Sequence, residues 1–468
     1  MKPFVLLLAA TILCRAYAAG TPQRVLHARD YGIHADGKTL ETDHLQRALD
    51  DAAARNLPLE LEPGQYLTGA LFLKSHTHLI LPRGAELLAS TWQQDYPPVF
   101  TRAAGIEMEW PAALLNIDGQ QDVAIEGEGT IDGRGKGWWD AFWSRVPAYE
   151  ERGLRWAVDY DVQRPELIRI FRSSQVRIGG GLLLRRSAFW TVHICYSSQV
   201  SVRGLTIRDN DPLDGLGPST DGIDIDSSQH VLVEDVDIAN NDDAICLKAG
   251  MNADGIRVNR PTEDVTIRNA IVREGISAIA IGSDTAGGFR NVQVEGVRIL
   301  SGVRYGIYLK STHTRGGWTD NLQMRRISME GVKTAIKIDL DYFPAFSTPR
   351  IPPGIEKNLP PGLRAIPDYW HTLAAPVDPV RGLPHFRHVL LEDVQARGVG
   401  TAIEANAASH APLEDFVLRN IHMEAQRAGS VRHTQRWQLD NVTIRAAEHT
   451  PLLQEDMLAT TGKFTVTQ

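Results

Sequence analysis

Between Ser219 and Lys248 the sequence reads STDGIDIDSSQHVLVEDVDIANNDDAICLK. Seven aspartates, Asp221, Asp224, Asp226, Asp235, Asp237, Asp242 and Asp243, are set there among alternating apolar residues. Crowded carboxylates repel one another, and some of them resist ionisation. Such a group can hold a cation, move protons as acid and base, or stand in water along strand edges. Spacing separates these uses. GIDI at 222–225 and AICL at 244–247 share one pattern of small, apolar, variable and apolar residues, and aligning them sets Asp221 in the column of Asp243. Strands stacked one coil apart would bring those two carboxylates to about 4.8 Å. Asp242 would point the other way in a regular strand, so it joins the pair only if the chain bends over Asn240, Asn241 and Asp242, residues that favour a bend. Three carboxylates at the starts of two neighbouring strands make an acid/base device, one held protonated while the others activate water. Asp235 and Asp237 belong to another strand phrase and are expected in solvent. Asp224 and Asp226 lie behind the pair on the outward side of the same strand, where they support the site or line the cleft floor.

The elements that must hold this device recur along the chain. A polar pair followed by loosely alternating apolar residues appears as SQVSVRGLTI from 198, QHVLVEDVDI from 229, EDVTIRNAIV from 263, RNVQVEGVRI from 290 and DNLQMRRISM from 320. It returns from 387 and from 439. Between these phrases sits the second pattern, as GIDI, AICL, AIAI, GIYL and AIKI. Alternation puts Ile223, Ile225, Ile245, Leu247, Ile279, Ile281, Ile307 and Leu309 on one face, and Asp224, Cys246, Ala280, Tyr308 and Lys337 on the other. Each repeat of 27 to 34 residues supplies about three short strands and no regular helix. Stacking buries the apolar columns, which predicts an all-β, right-handed parallel β-helix. A β-sandwich would need hairpin turns, and these are scarce. A helix over 41–56, with Leu45, Ala48, Leu49, Ala52 and Ala53 on one stripe and Thr42 or Asp43 as N-cap, is expected to close the N-terminal end. The Pro-rich stretch 342–386 interrupts the repeat. Its aromatics Tyr342, Phe343, Tyr369 and Trp370 predict an ordered loop over one face of a single domain spanning 19–468.

Bulk properties narrow the function. A net charge of -8 gives no basic stripe for nucleic acid. Lys2, the apolar run from Phe4 to Leu13 and Ala16-Tyr17-Ala18 read as an export signal over 1–18, and the run is too short to stay in a bilayer. Bulky Leu13 before Cys14 argues against a lipid anchor. The mature chain is thus expected outside the cytoplasm, secreted or periplasmic, with no membrane partner. It keeps Cys195 and Cys246, read as buried free thiols, with no cysteine metal site and no cofactor.

From about residue 25 to 445 the chain resembles glycoside hydrolase family 28, the polygalacturonases and rhamnogalacturonan hydrolases of pectin breakdown. The likeness rests on DYGIHADGKTLETDHLQRALD, PGQYLTGALFLKSHTHLIL and RSAFWTVHICYSSQVSVRGLTI, and above all on STDGID and NDDAICLK. STDGID is similar to the family's Asn-Thr-Asp motif with Ser219 in place of Asn, and NDDAICLK keeps the paired aspartates. The resemblance implies a pectin-lyase-like β-helix and hydrolysis with inversion in a single displacement. It implies Asp242 as general acid, and Asp221 and Asp243 holding and deprotonating water, across a gap of roughly 6.5–9.5 Å. It implies a pectic polysaccharide or oligosaccharide as partner, met by a monomer. Two departures stand out. Ile276 and Ser277 occupy the places of the family's histidine motif, and Tyr308 replaces the arginine of an Arg-x-Lys motif whose lysine is Lys310. Tyr308 and Lys310 are the expected substrate-binding pair, with Arg304 or Arg315 as a replacement cation. A lost arginine predicts that a rhamnose-containing backbone is cleaved better than plain polygalacturonate. A calcium-dependent pectic lyase, or a carbohydrate-binding solenoid without catalysis, is the alternative.

Overall fold

The computed structural model describes residues 24–210 and 214–467; the export signal expected over 1–18 lies outside them. The chain winds as a right-handed parallel β-helix in which 31 strands are joined in parallel ladders. Among the described residues one antiparallel pair stands apart, Pro98–Ala103 with Ile106–Pro111.

The polar pair of the repeat has a conformational cause. Gln199, His230, Asp264, Asn291, Asn321 and His388 all have φ near +55°. Each turns the chain left-handed just before the first apolar residue, and those apolar residues stack as Val200, Val231, Val265, Val292, Leu322 and Val389. Asn and Asp tolerate this conformation because their short polar side chains bond locally. Here they also bond from coil to coil: Asn321 donates to Asn291 Oδ1 at 2.9 Å, and Asn291 to Asp264 Oδ1 at 3.0 Å.

One ladder carries the acidic stretch: β1 (Val192–Cys195), β2 (Ile223–Asp226), β3 (Asp243–Lys248), β4 (Ile271–Ile281), β5 (Arg298–Lys310) and β6 (Thr334–Asp339). Val192, Ile223, Ile245, Ile279, Ile307 and Ile336 pair in register and are buried inside the helix. Alternation turns His193, Asp224, Cys246, Ala280, Tyr308 and Lys337 outward, as expected. The N-terminal helix α1 (Thr42–Arg55) buries Leu45, Ala48, Leu49 and Ala52 against the first coils, while Ala53 stays half-exposed. Its expected N-cap differs. Thr42 is already helical and accepts from the Gly69 N–H, while buried Glu41 precedes the helix and bonds His34 and His44.

The outward face of this ladder is not open to water throughout. A second apolar cluster covers it, drawn from the antiparallel pair, helix α2 (Lys136–Glu150), Val158–Asp161 and the Pro-rich insert. The insert is ordered. Ile355, and Trp370 and Leu373 of α3 (Asp368–Leu373), are buried, and the Trp370 ring meets Trp156 edge-on at 5.3 Å. Helix α2 escapes a pattern search because KGWWDAFWSRVPAYE is aromatic on several sides and carries Pro147.

Candidate active site

Asp221 and Asp243 stand one above the other. The Gly222 N–H donates to the Asp243 carbonyl at 2.9 Å, and β2 pairs β3 in the register that stacks the two aspartates. A side chain at Gly222 would lie 2.5 Å from the Ala244 carbonyl, so glycine is what lets the two strand starts close up. Carboxylate oxygens of Asp221 and Asp243 lie within 4.8 Å of each other and of the Cys246 sulfur. The chain bends at Asn241 and Asp242 before entering β3. Asn240 pins that bend, its amide donating to the carbonyls of Thr220 and Asp243, both at 2.9 Å. Gly275, at φ +150°, approaches so closely that a Cβ there would lie 2.7 Å from the Asp242 carbonyl. The bend therefore turns Asp242 into the same cleft as the other two. Its Oδ1 accepts the Asp243 N–H at 3.0 Å.

The three carboxyls sit in different fields. Burial, together with the charges of Asp221 and Asp243, pushes half-buried Asp242 well above the usual carboxylate range. Burial raises Asp221 as well, and Lys248, 3.2 Å away, offsets only part of that. Burial would raise Asp243 too, but the ammonium groups of Lys310 and Lys248 outweigh it and hold this carboxyl low. Lys310 Nζ donates to Asp243 Oδ2 at 2.7 Å, and the Ser277 hydroxyl to Oδ1. Asp242 is thus pushed toward keeping its proton while Asp243 beside it is pushed toward losing it, the division of labour that acid–base chemistry needs.

The cleft holds about 540 Å³ and is also lined by Lys310, Tyr308, Tyr305, Tyr342, Lys337 and Arg304. Lys310 is thus in place, but its ammonium is engaged by Asp243 and lies 4.9 Å from the Tyr342 ring. Of the two expected replacement cations, Arg304 lines the cleft. Arg315 does not: it is fully buried and paired with Asp284 at 2.8 Å. Asp224 and Asp226 do not form the floor either. Asp226 is buried on Arg102 at 2.8 Å and beside His193, and Arg102 drives its carboxyl low against burial. His193 in turn bonds Glu166 at 2.9 Å, and against burial the Glu166 charge raises the imidazole above its ordinary range. Asp224 is buried with both oxygens lacking a hydrogen bond, and burial together with Asp221 lifts it well above its usual range. Asp235 is exposed, and Asp237 is half-exposed between Arg208 and Arg273, as expected of solvated strand positions.

Cys195 and Cys246 are buried free thiols. Each lies near acidic side chains in a grouping that could surround a metal ion, Cys195 with His193 and Asp226, Cys246 with Asp221 and Asp243. The chain's own cations stand on those carboxylates: Arg102 on Asp226, Lys248 on Asp221 and Lys310 on Asp243. Pattern reading gave no site role to Ser277, Lys248 or Tyr342, although Ser277 and Tyr342 were noted for other reasons. Ser277 had a signal, since it follows Asp243 directly in the column.

The model of the glycosyl hydrolases family 28 matches residues 100–356, which include every side chain of the carboxylate cluster. A "Probable polygalacturonase" of Vitis vinifera is 31% identical over 344 residues, 71% of this chain and 65% of that protein. An "Exo-poly-alpha-D-galacturonosidase" of Dickeya chrysanthemi is 28% identical over 355 residues, 68% of this chain and 57% of its own length. The chain thus spans under two thirds of either relative. The family 28 exopolygalacturonase of Yersinia enterocolitica superposes with a TM-score of 0.75 at 22% identity, covering 94% of this chain and 79% of that one. A hyperthermoactive exopolygalacturonase of Thermotoga maritima gives 0.70 at 22%, covering 96% and 93%.

Proposed function

The chain belongs to the glycosyl hydrolases of family 28, and on that premise we propose that it hydrolyses α-glycosidic bonds between galacturonate units of a pectic chain, with inversion. The observation that carries this reading is the convergence of Asp221, Asp242 and Asp243 on one cleft, with Lys310 and Ser277 bonded to Asp243 and with surroundings that push Asp242 up and Asp243 down. Asp242 gives its proton to the glycosidic oxygen as the bond to the anomeric carbon breaks. Water attacks that carbon from the opposite face and loses its proton to Asp243, while Asp221 fixes its orientation. Asp242 ends ionised and Asp243 protonated, and exchange with solvent resets both. Lys310 and Ser277 hold Asp243 in place and ionised. The lyase alternative would set a calcium ion where Lys248 and Lys310 already stand on the carboxylates. We propose that the protein acts as a monomer outside the cytoplasm; among the described residues no helix is long and apolar enough to cross a membrane.

The test is incubation with polygalacturonate, rhamnogalacturonan backbone and methyl-esterified pectin. We expect new reducing ends without the ultraviolet absorbance of unsaturated uronides, and a newly released anomeric centre of inverted configuration by NMR. Unsaturated products that vanish with a chelator would overturn the reading.

A further inference from the structure

Tyr308 stands where the resemblance calls for an arginine, yet the cleft has not lost positive charge there. Lys337 pairs with Tyr308 one coil on, facing outward from β6. Its ammonium lies 5.6 Å from the Tyr308 ring and 4.9 Å from the Tyr305 ring. Arg304 sits 5.1 Å above that same Tyr305 ring, and the Tyr305 and Tyr308 rings are 4.7 Å apart. Lys310 flanks Tyr308 at 5.2 Å. The two rings thus form one aromatic pair, with Lys310 on Tyr308, Arg304 on Tyr305 and Lys337 beside both. Aromatic faces hold cations in place without neutralising them.

Neither outer cation is spent. Arg304 is exposed and has no acidic partner within ion-pair distance among the described residues. Lys337 is 19% exposed, with its nearest acids, Glu404 at 3.7 Å and Asp339 at 3.9 Å, only at the outer limit of pairing. Asp339 is held above the usual carboxylate range, chiefly by burial, which weakens its claim on the lysine. Two underused cations beside apolar ring faces, at one end of a cleft built for sugars, fit an anionic sugar.

We infer that Lys337 and Arg304 form a carboxylate-binding subsite that replaces the missing arginine from the neighbouring coil and selects a galacturonate, rather than a neutral deoxy-sugar, on that side of the cut. This rests on the pectic reading of the cleft, and it reverses the preference for rhamnose that Tyr308 alone would suggest. Charge-assisted hydrogen bonds from the two cations grip the carboxylate, while Tyr305 and Tyr308 face the apolar side of the ring.

Lys337→Met and Arg304→Met test it by calorimetric titration with trigalacturonate and with its methyl ester, alongside turnover of polygalacturonate. We expect each substitution to weaken trigalacturonate binding and raise KM by about 10- to 100-fold, the value of a charge-assisted bond. The wild type should bind the ester as weakly as the variants bind the acid, kcat should stay within about twofold, and circular dichroism should be unchanged. Equal binding of acid and ester by the wild type, or unchanged binding by both variants, overturns the subsite. Weakened trigalacturonate binding by the variants without any turnover by the wild type upholds the subsite and overturns the hydrolase reading. No wild-type binding of trigalacturonate overturns both.

Discussion

Lys310→Met removes the ammonium that sits 2.7 Å from Asp243 while keeping the apolar stem. The two side chains are 7% and 1% exposed, so water screens the pair little. An opposite charge at this range lowers a carboxyl by about 1–3 pKa units. Each unit is worth about 1.4 kcal/mol. The substitution should therefore let the Asp243 carboxyl rise, and breaking the buried pair should cost roughly 1.4–4 kcal/mol at neutral pH. Because folding holds Asp243 below its ordinary value, the contribution is complete above the ordinary carboxylate range and fades as pH falls through the folded value. Lys310 is held above its ordinary value, so its own contribution is complete below the ordinary lysine range and is lost as pH rises through the folded value. Variant and wild type should thus differ across the neutral range and converge in acid. For a chain of 468 residues, at about 2.1 cal/mol/K of unfolding entropy per residue, the loss corresponds to about 1–4 °C in Tm. The decisive assay is kcat/KM for oligogalacturonate against pH. Its acid limb, set by the water-activating carboxylate, should move to higher pH. An acid limb that stays where it is refutes both the claim that Lys310 sets the ionisation of Asp243 and the assignment of Asp243 as base.

Asp242→Asn should lower kcat by about 10²–10⁴-fold on polygalacturonate and remove the alkaline limb of the profile; a nitrophenyl galacturonide, whose leaving group needs no proton, should lose far less, and equal losses on both would sink the acid role. Asp221→Asn and Asp243→Asn should each cost orders of magnitude, and the double variant little more than the worse single, because the two act on one water; fully multiplicative losses would show separate roles. Trp370→Ala should cost about 3–5 kcal/mol, since it empties a fully buried site and removes one of the hydrogen bonds to Asp161, the one at 3.0 Å, leaving that from Tyr369. The coils do not contain this residue, so far-ultraviolet circular dichroism at low temperature should stay that of the wild type while activity drops; intact activity would separate the insert from the cleft.

What the sequence disclosed follows from the physics of stacking. Asp221 and Asp243 could be placed because Ile223 and Ile245 must both face the core, and a period of two then fixes every neighbour. Asp242 was legible only through its company, since Asn240 and Asn241 supply the bend that turns it. The buried chain of Arg102, Asp226, His193 and Glu166 was not legible, because Arg102 comes from a hairpin 124 residues before Asp226 and lies outside the repeat. Arg315 failed as a candidate for the same reason. Its partner Asp284 lies in the loop after β4, which no periodicity positions. Sheet faces announce themselves by alternation, whereas what covers them is decided by loops.

The wall over the outward face has a consequence in time. It ties Trp370 to Asp161, 209 residues earlier, while each coil rests only on the coil before it. A chain emerging from its N-terminus can therefore wind turn upon turn and bring Asp221, Asp242 and Asp243 together long before residue 370 exists. The cleft is finished only when the insert arrives and docks on Trp156. The three carboxylates are thus brought together early and the cleft around them is closed late, after the spine that carries them has set.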